Sequence, residues 1–198
     1  MPRVVLSGLA AICLAAPAAA KEPAPYRASL DVRWGEGAGS DAFLDDLTRS
    51  VAAKLATRCF QSVAIAGNQG APEDRELAVR VILSDVFDET RFDDSIAAVL
   101  QPGEPTQELR RVAQFSMAID ATLSTAESGT LIVQKHFAIN AARRPVFIGE
   151  DPQEFARAQA IEDAGSELAR AFGCGGARLT RKIRDALSAQ GSPASPAR

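Results

Sequence analysis

The sequence predicts an α+β fold, a mostly antiparallel sheet with helices packed on one or two sides, in the order β-α-β-β-β-β-α-α. Three observations lead there. Several stretches alternate apolar and polar side chains with the two-residue period of strands that bury one face and wet the other. Others space their apolar residues three and four apart, as amphipathic helices do. Most strands follow one another directly, whereas a parallel α/β sheet would alternate strand and helix throughout.

Taken in order, Tyr26, Ala28, Leu30, Val32 and Trp34 alternate with Arg27, Ser29, Asp31 and Arg33 and form a first strand. Gly35, Gly37 and Gly39 then break regular structure. Ser40 or Asp41 stands where it can cap a helix carrying Phe43, Leu44, Leu47, Val51 and Leu55 on one face and ending near Cys59. Residues 62–66 read as a short strand closed by Gly67, Asn68, Gln69 and Gly70. After a turn at 72–74, Leu77, Val79, Val81 and Leu83 predict a longer strand ending near Phe87. Residues 88–107, with Pro102, Gly103 and Pro105 among them, read as a mobile loop.

Phe115, Met117, Ile119, Ala121 and Leu123 form one arm of a hairpin. Leu131, Val133, Phe137 and Ile139 form the other, across a turn at 124–129. Asp151, Pro152 and Glu154 mark a helix start. Phe155, Ala158, Ile161, Ala164, Leu168 and Phe172 define that helix's apolar face as far as Gly173. Leu179, Ile183 and Leu187 mark a last short helix, and residues 191–198 have the Ser/Pro composition of a disordered tail.

The first twenty residues read as a signal peptide: Arg3, an apolar run over 4–14, and Ala18, Ala19 and Ala20 ahead of Lys21. The mature chain is therefore expected as a single α+β domain over residues 21–190 in a periplasmic or secreted location. Its apolar runs are too short for a transmembrane segment. Cys13 follows Ile12, where a lipid-bearing cysteine would want a small residue, so lipid attachment is not expected. With 22 Lys and Arg against 25 Asp and Glu, the formal charge of −3 argues against nucleic acid as a partner. Cleavage of the signal leaves Cys59 and Cys174, an even pair expected to form a disulfide in an oxidising compartment. A reactive thiol would want a Cys-x-x-Cys spacing or a neighbouring histidine, and neither is present.

Candidate sites are few. The glycine-rich stretch 35–40 lies between a strand and a helix, where phosphate loops occur, but no Lys-Ser/Thr follows its last glycine and it reads as a flexible turn. Asp85, Asp88, Glu89, Asp93 and Asp94 form an acidic cluster that calcium would favour if they converged, without the spacing of an EF-hand. His136 falls on the wet phase of the hairpin with Gln134, opposite Val133 and Phe137. Arg178, Arg181, Lys182 and Arg184 give the last helix a basic face suited to solvent, an acidic partner or anionic headgroups, and Arg143-Arg144 is similarly ambiguous. The sequence assigns no catalytic residue, no cofactor and no metal.

The layout resembles a broad group of bacterial envelope proteins: auxiliary components of lipid-trafficking ABC transporters, curli-secretion proteins and penicillin-binding-protein activators. The parts alike are the helix over 43–59 leading into 62–66, the strand over 76–87, the hairpin over 114–139 and the helix over 151–172. Export, a complete small α+β core and the lack of a convergent catalytic set lead to the expectation of an exported, non-enzymatic accessory or adaptor protein, with an envelope protein or transport complex, or a lipid-linked component, as its partner. Binding would use a sheet face, an edge strand or the loop at 88–107. The competing expectation is a secreted hydrolase, or a small-ligand or calcium-binding protein, using the acidic stretch 85–94. Nothing in the sequence selects an oligomeric state.

Overall fold

A helix inserted between two strands demands a crossover, and this places β1 and β2 side by side and parallel. The structure is a computed structural model and describes residues 23–35, 40–66, 75–93, 110–145 and 149–190. Its elements follow the predicted order: β1 (Ala24–Trp34), α1 (Asp41–Arg58), β2 (Phe60–Ile65), β3 (Leu77–Phe92), β4 (Arg111–Thr125), β5 (Leu131–Arg143), α2 (Pro152–Phe172) and α3 (Ala177–Gln190). They build one five-stranded sheet in the order β2-β1-β3-β4-β5. β3, β4 and β5 form an antiparallel meander through the longer ladders. β1 runs parallel to both of its neighbours. The fold is α+β as the alternation implied, with a parallel flank that alternation alone does not disclose.

Register keeps one set of side chains on one face. Leu30, Val79 and Leu123 lie in one row across the sheet, and Leu83 and Ile119 in another. All five are buried, together with Ala28, Leu77, Val81, Phe115, Met117, Ala121, Ile139 and Ala141. Leu47, Val51 and Leu55 of α1 and Ala156, Ala160, Ala164, Leu168 and Phe172 of α2 cover them. The opposite face is polar: Asp31 reaches Arg80 at 3.5 Å, and Asp120 Oδ1 lies 2.9 Å from His136 Nδ1. The helices therefore lie on one side of the sheet, and His136 stands on the wet side. No helix of the described residues is long and apolar enough to cross a membrane.

α1 and α2 run in the same direction and touch in step. Ser50 Oγ donates to the Ile161 carbonyl at 3.2 Å, and Lys54 Nζ lies 3.4 Å from Glu162 Oε1. Between them the backbones come so close that a Cβ on Gly165 would sit 2.8 Å from Lys54 Cγ. α2 ends at Gly173, whose φ of 74° is left-handed, with the Cys174 amide donating back to the Ala169 carbonyl at 3.0 Å. This turn delivers Cys174 to Cys59, just past the end of α1, and the two form a disulfide across 115 residues of sequence.

Three local expectations change. Asp151 caps α2 by accepting from the Gln153 amide, but Ser40 at the head of α1 makes no side-chain capping bond. The buried stripe of α2 runs through Ala156 and Ala160, and Phe155 is left 48% exposed with the Arg143 guanidinium 5.3 Å above its ring. Alanines win because only small side chains let α2 approach α1 and the sheet closely. The strand expected to end near Phe87 continues to Phe92. The signal segment, the turns at 67–70 and 72–74 and the tail at 191–198 lie outside the described residues.

Two measurements test this helix layer. Replacing Cys59 and Cys174 together by Ser is expected to lower unfolding free energy in urea by up to about 4–5 kcal/mol, the chain-entropy value for so long a loop. Gly165→Val is expected to cost about 1–3 kcal/mol by overpacking the α1–α2 contact; an unchanged urea midpoint would show that the helices separate freely.

Candidate functional site

The ends of α1 and α2 opposite the disulfide do not close over the sheet, and the space between their first turns is a cleft of about 660 Å³. Each wall has a local cause. β1 stops at Trp34 because Gly35 presses against β3, its amide donating to the Leu83 carbonyl at 2.7 Å, where a Cβ would stand 3.0 Å from that oxygen. Phe43, in the first turn of α1, stacks on Trp34 with ring centroids 5.9 Å apart and tilts against Phe115 of β4 at 5.3 Å. Leu83, Val86 and Ile161 add aliphatic surface. The Trp34 indole Nε1 is buried without a hydrogen-bond partner among the described residues.

A β-bulge shapes the far wall. The pairing of β3 with β4 slips between Ser84 and Phe87, where Asp85 takes a positive φ of 49°. Asp tolerates this left-handed conformation better than most residues. The extra residue reverses the phase of β3. Up to Leu83 the odd-numbered side chains face the helices, but beyond the bulge Asp88, opposite Phe115, takes that side. Asp88 then accepts from Arg157 Nε and Gln153 Nε2 of α2, each at 2.5 Å.

This geometry disperses the acidic cluster. Asp85 and Asp88 line the cleft. Glu89 lies on the opposite face, across from Gln114. Asp93 is bonded to Arg144, and Asp94 lies outside the described residues. No three or more metal-ligating side chains gather among the described residues. The expectation that 88–107 begins a loop is corrected for 88–92, which are strand residues paired to β4; residues 94–107 are outside the described set. Positive groups opposite explain the difference: Arg157 holds Asp88, Arg144 holds Asp93, and Arg143 lies 3.4 Å from Glu150, whose side chain is 1% exposed. The ambiguous Arg143-Arg144 pair thus belongs to the fold. Of the glycine-rich stretch, residues 36–39 are outside the described set.

Sequence reading missed the aromatic floor. Trp34, Phe43 and Phe115 each fit the core phase of their own strand or helix, and only the register brings the three together. The available signal was that the chain's one tryptophan stands at the last position of a strand, ahead of a glycine run.

No family model matches this chain, and no curated protein matches it. Solved structures do. A Xanthomonas campestris protein of the DUF330 family superposes with a TM-score of 0.50 at 13% identity, over 85% of this chain and 93% of that one. An uncharacterized lipoprotein B from Nitrosomonas europaea gives 0.43 at 12% identity, over 76% and 84%. A minor lipoprotein from Acinetobacter baumannii gives 0.40 at 12%, over 73% and 90%. The first of these likenesses places the five-stranded sheet and its helices in a known fold, and it speaks to fold alone.

The bulge offers a direct test. Asp85→Gly is expected to leave stability within about 1 kcal/mol, whereas Asp85→Val should lose about 1–2 kcal/mol because a β-branched residue resists the left-handed region. Urea unfolding of both variants checks it.

Proposed function

We propose that this chain is an exported, non-enzymatic accessory protein of the cell envelope that holds an apolar portion of another envelope component in the cleft between α1 and α2. The observation carrying this reading is the aromatic floor of Trp34, Phe43 and Phe115 beneath a cleft of about 660 Å³. That volume lies within the roughly 300–1,000 Å³ of ligand-binding pockets, which are typically apolar with a few placed polar groups. Here the polar groups are the Asp88–Arg157 pair on the rim. Export is supported by the signal-like residues 1–20 and by the Cys59–Cys174 bridge, which suits an oxidising compartment. Of the carboxylates lining the cleft, Asp88 is held by Arg157 and Gln153.

Trp34 is the chain's one tryptophan, so its emission reports on the cleft without a label. The mature chain from Lys21 should show a saturable change in that emission when titrated with lysophospholipid below its micellar concentration. Ala158→Phe, which fills the cleft from the α2 wall, should weaken the response at least tenfold while leaving the urea midpoint in place. Emission that never responds, or an equal response in the filled variant, would remove the cleft from consideration.

A further inference from the structure

The cations of α3 are not used by the fold or by the cleft. Arg178, Arg181, Lys182 and Arg184 are all exposed, while Leu179 and Ile183 of the same helix are buried. None of the four makes an ion pair among the described residues. Asp185 is the one carboxylate on α3, so the helix is net positive in a chain whose formal charge is −3, and the remainder is acidic. Such a separation of charge orients a molecule in an external field.

We propose that α3 docks the protein, reversibly and by charge, onto a bilayer surface of anionic lipid headgroups. At 100° per residue the four cations spread over roughly 160° of the helix circumference, and Asp185 falls within that arc between Arg181 and Arg178, leaving the face net positive. That breadth suits an extended lattice of phosphates better than a single carboxylate pocket. The apolar stripe of α3 is already committed to the core, so the contact is electrostatic and involves no insertion of the helix. Position adds to the case. α3 follows the disulfide end of α2, and Gln190 at its far end donates to Ser128 in the β4–β5 turn. The cleft lies at the opposite end of the helix layer, beside the first turns of α1 and α2. Docking through α3 therefore leaves the cleft facing away from the bilayer.

The test is co-sedimentation of the mature chain with vesicles of equimolar phosphatidylglycerol and phosphatidylcholine, against vesicles of phosphatidylcholine alone, at low ionic strength. Binding is expected only to the anionic vesicles and should be released by added salt. Arg178→Gln and Arg184→Gln should each weaken it about fivefold, and neutralising all four should abolish it, following the usual contribution of a basic residue near a membrane surface. Replacing the three arginines by lysine should preserve most of the binding, and Trp34 emission on heating verifies that each variant is folded. The proposal is overturned if the wild-type chain ignores anionic vesicles, if it binds neutral vesicles equally, or if the fully neutralised variant still sediments. It is equally overturned if the lysine variant loses binding, which would mark a guanidinium-specific site for an acidic protein.

Discussion

The close, parallel contact of α1 and α2 is the constraint on which the molecule depends. A sheet with one apolar face needs a lid, and neither helix is wide enough to cover five strands alone. α1 arrives early, as the crossover between β1 and β2, and α2 arrives only after the meander is complete. Their meeting is secured by small residues, with Gly165 against Lys54 and Ala156, Ala160 and Ala164 beneath, and by the covalent bond from Cys59 to Cys174. The residues sealed under them, such as Leu30, Leu83 and Leu123, each contribute about 1.5–3 kcal/mol by leaving water.

Joining the helices at one end leaves the other end to be settled by the sheet. There the bulge at Asp85 changes which side chains β3 offers to the helices, so that Asp88 meets Arg157. The pairs Asp93–Arg144 and Glu150–Arg143 bring the far ends of β3 and β5 and the approach to α2 into the same network. Each of these pairs sets a partly exposed arginine on a carboxylate that is mostly buried, and its value here is directional. They fix where the first turn of α2 stands relative to the sheet, and hence the width of the cleft over Trp34, Phe43 and Phe115. Of the carboxylates that read as a ligand site in one dimension, Asp88 and Asp93 are, in three, anchors for arginines.

The polar groups are also divided by face and by end. Asp31, Arg80, Asp120 and His136 occupy the sheet face away from the helices, while the cations of α3 gather at the disulfide end. An apolar cleft thus stands at one end of the helix layer and a basic helix at the other.

Much of this was legible along the chain. Two-residue and helical periods depend on local geometry alone, so Leu77 to Leu83 and Leu179 to Leu187 declared their elements and their buried sides, and Asp151, Pro152 and Gly173 declared the ends of α2. Cys59 and Cys174, the two cysteines outside the signal-like first twenty residues, were read as a pair, and the structure joins them. What the chain could not declare depends on partners distant in sequence. Parallel pairing of β1 with β3 leaves the same alternation as antiparallel pairing. A bulge is invisible until two strands are laid in register, so Asp88 looked like the start of a loop. Phe155 and Ala156 lie on adjacent stripes of one helix, and only the close approach of α1 decides which is buried. The sequence by itself determined the elements, their order and the wet and dry sides of most of them. Tertiary structure decided the cleft, because its walls come from five elements whose separation is set by packing and ion pairing across the whole chain.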